Sequence, residues 1–159
     1  MYKRIGGLGV GILAQLITSF VASAGFGILF NAPKKVLVQC GLNGMVGWIV
    51  YYVLVERGMD TVPATILAAM LVAMISRFFS KIYKTPIIIF NVSGIIPLVP
   101  GGMAYNAMRS VVQNDYLLAF QYSTKVMLLA GGIAMGLMFS EVVNQIMLKT
   151  AGKKQKTQL

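Results

Sequence analysis

Between Pro86 and Val112 the sequence reads PIIIFNVSGIIPLVPGGMAYNAMRSVV, and polar residues sit inside what starts as an apolar run. Asn91, Ser93 and Gly94 fall within the run, and Pro97, Pro100, Gly101 and Gly102 then interrupt it. Backbone groups at membrane depth cannot stay unpaired in lipid, so such a break is tolerated only inside protein or beside a wet cavity. Broken spans supply free helix ends and unwound carbonyls, which hold polar solutes and ions. Beyond the break, Tyr105, Asn106 and Arg109 follow at i, i+1 and i+4. Tyr105 and Arg109 therefore share a helix face, and Arg109 offers a forked donor to a carboxylate. This is the chemistry of binding, not of bond-making. Arg109 reads equally as an interfacial charge close to Asp115, and the break as a kink or a short loop. Two prolines and two glycines within six residues exceed what a kink needs.

Few other residues offer chemistry. Glu141, with Asn144 and Gln145 close behind it, ends the last apolar run, where an acid could couple transport to a proton. The plainer account is a carboxylate solvated at the interface. Arg77 either snorkels to headgroups or faces a solute. Gln15 lines a path or bonds to a neighbouring helix. Asn43 requires a partner in a helix backbone, a water or a solute, and packing is the preferred reading. The single cysteine, Cys40, excludes an intrachain disulfide and reads as a small apolar residue. With no histidine, zinc sites built on imidazole are out, and no metal or cofactor is expected. Ser93 has no base nearby in sequence and no Walker motif is present, so the chain does not read as an enzyme.

The elements that must position these residues are membrane helices. Of the 159 residues, 57% are hydrophobic and 11% charged, and several apolar runs approach or exceed the ~20 residues that cross a bilayer. The runs are Leu8–Phe30, Val36–Val55, Thr61–Phe79, the broken element, and Tyr116–Leu148. In the last, an interface-lying or cavity-lining helix from Tyr116 is expected to precede a span starting near Met127. Gly41, Gly44 and Gly47 recur every three residues and read as one close-packing stripe. Trp48, Tyr51 and Tyr52 suit the far interface. The first run ends in Asn-Ala-Pro-Lys-Lys, so no cleavable signal peptide is expected. The fold expected is an all-α integral membrane protein with about five transmembrane segments, one broken by a PxxPGG motif. Residues 1–150 form one transmembrane domain, and 151–159 a basic polar C-terminal tail.

The net charge of +10 sits in bases that flank apolar segments, so it reports topology and not nucleic-acid binding. One side collects Lys34, Lys35, Lys81, Lys84 and the tail lysines. The other collects Lys3, Arg4, Arg57 and Arg109. Five crossings with the more basic side inside put the N-terminus outside and the C-terminus in the cytoplasm. A re-entrant broken element would make the number even.

FNVSGIIPLVPGG followed by AYNAMRSVV resembles the signature of the threonine/serine exporter family (ThrE), in its small YjjB-like subunit. The FNAPKK turn, the GLNGMVGW stretch and the KTP step before the break extend the resemblance over most of the chain. It implies a subunit of a secondary exporter in the cell membrane, carrying small hydrophilic amino acids (threonine, serine) or a dicarboxylate such as succinate. A larger YjjP-like membrane subunit is the implied partner, and an oligomer is expected. The solute's carboxylate is expected at the Gly101–Gly102 helix start, where unpaired N–H groups and the helix dipole favour an anion. Asn91, Ser93, Tyr105 and Asn106 would complete the shell beside Pro97 and Pro100, with Arg109 as a second anion contact and Glu141 as the coupling acid. The competing readings are a passive solute channel and an accessory subunit that stabilises its partner.

Overall fold

The computed structural model describes the backbone of residues 5–156 and the side chains of residues 11–146. Lys3, Arg4 and the side chains of the basic tail, on which part of the charge pattern rests, lie outside the described residues. The chain forms α1 (Ile5–Leu29), α2 (Leu37–Glu56), α3 (Thr61–Tyr83), α4 (Ile87–Ile95), α5 (Gly101–Val112) and α6 (Tyr116–Lys156). Short 3-10 turns precede α2 and follow α4.

Local sequence explains where helices stop. Asn31, Gly58 and Asn114 take positive φ, as do few residue types without strain. After each, an amide reaches back to a carbonyl five residues earlier: Ala32 to Gly27, Met59 to Leu54 and Asp115 to Ser110. These are Schellman ends, which satisfy carbonyls that a helix terminus would otherwise leave open. At the start of α6, Asp115 accepts a hydrogen bond from the Leu118 amide at 3.1 Å, an N-cap.

Among the described residues, four helices are long and apolar enough to cross a membrane: Gly11–Leu29, Lys34–Glu56, Thr61–Tyr83 and Tyr116–Ile146. The pair Ile87–Leu98 and Gly101–Val112 is bent by 55° and makes a fifth if taken as one span. The contacts of α6 favour that count. Gly132 lies against Val62 and Ile66, Gly136 against Ile66 and Ala69, and Glu141 pairs with Arg77. Helices α3 and α6 therefore run parallel. The α4–α5 element must carry the chain back to the end at which α3 begins, and a re-entrant loop would have made the two antiparallel. The expected break is present, with its second helix starting at Gly101.

Two expectations change. No separate helix precedes the last span: α6 is continuous over 41 residues, roughly 60 Å at about 1.5 Å per residue. It contains no proline, and Gly132 and Gly136 are spent on packing rather than on a turn. The glycines of α2 are not one stripe. A Cβ at Gly41 or Gly44 would meet Phe20 or Ser23 of α1, whereas one at Gly47 would meet Val72 of α3. A spacing of three lags the helical repeat by about 60° per step, so the stripe winds from one neighbour to the next. Trp48 and Tyr51, both half-buried, pack on a core of Ala68, Ala69, Val72, Leu98 and Ile133.

Candidate functional site

The first half of the broken element is enclosed by α1, α2 and α3. Its anchor is Asn43, fully buried, whose Nδ2 donates to Ser76 Oγ at 2.8 Å and to the Phe90 carbonyl at 3.0 Å. Ser76 in turn donates to the Val72 carbonyl at 2.8 Å. One side chain thus ties α2 to both α3 and α4. Gly94 allows this approach, because a Cβ there would stand 2.5 Å from Asn43 Nδ2 and 2.6 Å from Val72. Asn43 packs, as preferred, and its Oδ1 meets no partner. Ser93, also buried, donates to the Ile89 carbonyl of its own helix. Asn91 is half-buried, with an Oδ1 that meets no partner.

Pro97 lines an open pocket of about 200 Å³ with Gln15, Thr18, Ser19, Ala22 and Trp48. Gln15 resolves to a helix–helix bond, accepting from Trp48 Nε1 at 2.7 Å. The chain then turns: Val99 donates to Ile96 and Gly101 to Val99, and no side chain caps α5. The Gly101 amide is thus taken, but the first-turn amides after it have no partner within the helix, so this end remains able to accept an anion. Gly101 and Gly102 are exposed, and a Cβ at either would meet nothing within 4 Å.

Helix α5 leaves the inner bundle and packs on α6. Tyr105 and Arg109 share a face, as their spacing requires, and line an open pocket of about 350 Å³ with Met108, Val112 and Gln113. Tyr105 is 67% exposed. Asn106 is half-buried on the same helix. The predicted residues therefore divide: Ser93 lies inside the bundle, Pro97 in one pocket, and Tyr105 and Arg109 in another. Asp115 caps α6 and does not pair with Arg109.

At the far end of α3, Arg77 Nη2 forms an ion pair with Glu141 Oε2 of α6, the one ion pair among the described residues. Gln145 Nε2 donates to the other oxygen of Glu141 at 3.2 Å. Sequence reasoning treated Arg77 and Glu141 separately. Neither position signals the other, because a pair 64 residues apart depends on how α3 and α6 are rotated. The role of Ser76 was missed as well, since a lone serine in an apolar helix carries no partner in its sequence.

No solved structure matches the chain. The family described as "Threonine/Serine exporter, ThrE" matches it over residues 15–143. That stretch takes in the whole broken element and both members of the Arg77–Glu141 pair. With most of the chain matched, and with several apolar helices surrounding a broken one, this multi-pass membrane protein belongs to the threonine/serine exporter family, a family of transporters.

Proposed function

We propose that the chain is a membrane subunit of a secondary exporter of small hydrophilic amino acids, threonine and serine, or of a dicarboxylate such as succinate. It works with a larger YjjP-like subunit in the cell membrane. The observation that carries this reading is the uncapped start of α5, exposed at a 55° break in a chain of the exporter family. The amides of the α5 start at Gly101–Gly102, beyond the Gly101 N–H that the Val99 carbonyl holds, take the solute's carboxylate. Tyr105, Asn106 and Arg109 complete the shell on α5, with Asn91, Ser93, Pro97 and Pro100 on the approach to it. Because Gly101, Gly102, Tyr105 and Arg109 are exposed in the single chain, a neighbouring subunit is what closes the site. Glu141 is the coupling acid. Lys34, Lys35, Lys81 and Lys84 flank the ends of α1 and α3, which supports a cytoplasmic location for that side and an outside N-terminus.

The test is efflux from preloaded cells, comparing this chain alone, the chain with its large partner, and the pair carrying substitutions. Efflux is expected only from the pair and is expected to collapse with the ion gradient. Gradient-independent flux through the chain alone would make it a channel, and copurification without flux in any condition would make it an accessory subunit. Gly101→Ala and Gly102→Ala should leave the fold of the chain intact, since the added methyl meets open space within it. Both should nevertheless lower efflux by crowding the anion. Arg109→Ala should cost about tenfold in apparent solute affinity, the size of a lost charged hydrogen bond. Unchanged efflux in all three variants would remove the break as the site.

A further inference from the structure

Between α3 and α6, at the end where both helices carry charge, lies a third pocket of about 180 Å³. It is lined by Arg77, Lys81, Ser140 and Asn144, with Met74, Phe78 and Val143 as apolar walls. Its donors exceed its acceptors. Arg77 uses Nη2 on Glu141, yet its buried Nε meets no partner. Ser140 is 2% exposed and its Oγ meets none either. Lys81 adds a second positive charge, so with Glu141 the cluster carries a net charge of +1 by formal count. A buried guanidinium N–H and a buried hydroxyl without acceptors each carry a desolvation cost that a ligand oxygen would remove. A guanidinium N–H without an acceptor offers a charge-assisted hydrogen bond to a ligand oxygen.

We infer that this pocket is an oxyanion site, in which a carboxylate or a phosphate sits between Arg77, Lys81 and Ser140 and competes with Glu141 for the guanidinium. The oxyanion has two sources. One is the carboxylate of the exported solute, and in that form the inference rests on the exporter reading. The other is the phosphate of an anionic lipid, whose acyl chains the walls of Met74, Phe78 and Val143 would accept. In either case the ligand exchanges for Glu141, so occupancy loosens the Arg77–Glu141 ion pair between α3 and α6. The site is separate from the break and lies at the opposite end of the bundle from Arg109.

The test uses the full chain in discs of phosphatidylcholine, with Cys40→Ala removing the native thiol and Asn144→Cys placing one in the pocket wall. The rate of alkylation by a maleimide is read with threonine, serine, succinate or inorganic phosphate added, and in discs containing phosphatidylglycerol. The expected result is alkylation slowed by about tenfold at saturation in at least one arm, with the protection lost in Arg77→Gln and weakened in Lys81→Gln at its exposed position. Glu141→Gln should lower the half-protecting concentration by about tenfold, because the competing carboxylate is gone. Protection by the solutes identifies the solute carboxylate, and protection by phosphatidylglycerol alone identifies lipid phosphate. No slowing in any arm, or slowing that survives Arg77→Gln in a variant of unchanged thermal midpoint, overturns the site. Efflux by the assembled pair without protection here would overturn this inference and leave the exporter reading standing. Protection without efflux would do the converse.

Discussion

Gly136→Ala is expected to force α6 away from α3, with a marked loss of stability. A Cβ at this position would stand 2.5 Å from the Ile66 carbonyl oxygen, 2.8 Å from Ala69 Cβ and 3.0 Å from the Met70 amide nitrogen. Two of those three atoms are backbone, so no rotamer change makes room. At Gly47 the nearest atom is a Val72 methyl, a side-chain atom, whereas at Gly44 the Ser23 Cβ stands 2.6 Å away and is likewise moved by no rotamer change. Overpacking of this kind costs about 1–3 kcal/mol. The effect should extend along the seam, since the Arg77–Glu141 pair and the pocket beside it depend on the same α3–α6 spacing. Thermal unfolding in lipid discs measures it, with Gly131→Ala as the control. A methyl at Gly131 meets nothing within 4 Å, so its midpoint should not move. Equal midpoints for the two variants would mean that α3 and α6 do not pack through Gly136.

Asn43→Leu should release the first half of the broken element from the bundle. The substitution removes donations to Ser76 Oγ and to the Phe90 carbonyl at a position with no solvent access. Interhelical hydrogen bonds in membranes are worth about 1–2 kcal/mol at the upper end, so the expected loss is of that order. The native chain carries its own reporter. Cys40, one turn before Asn43, is buried against Phe90, Val36 and Ala32 in the seam between α2 and α4. Its alkylation should accelerate by about tenfold in Asn43→Leu, the change in opening equilibrium that about 1.4 kcal/mol produces. Ser76→Ala should have a smaller effect, and the double variant should fall short of the sum because one bond is shared. An alkylation rate equal to that of the native chain would show that Asn43 does not hold α4. Efflux by the assembled pair should fall with the same variant, because α5 is aimed from the end of α4.

Much of this architecture is written in local chemistry. Apolar runs fixed the number of long helices, since about 20 apolar residues in a row have few other uses. Pro97, Pro100, Gly101 and Gly102 located the break because proline and glycine act on their own backbone, whatever surrounds them. The spacing of Tyr105 and Arg109 put them on one face, and the helical repeat alone guarantees that. Family membership was legible in the same segment, where the unusual residues are contiguous.

What one dimension does not contain is the rotation and register of one helix against another. Glu141 and Arg77 are each ambiguous alone, and they become a pair only when α6 runs parallel to α3. Trp48 has the chemistry of an interfacial residue, and only packing decided that its indole N–H meets Gln15 across the α1–α2 seam. The winding of Gly41, Gly44 and Gly47 from α1 to α3 follows from where two neighbours happen to stand. The division of the broken element, with Ser93 among three helices and Arg109 on an open face, follows from α5 choosing α6 as its neighbour. Breaks and spans are properties of a segment's own backbone, and the sequence determines them. Partners are properties of two segments at once, and only the packed bundle decides those.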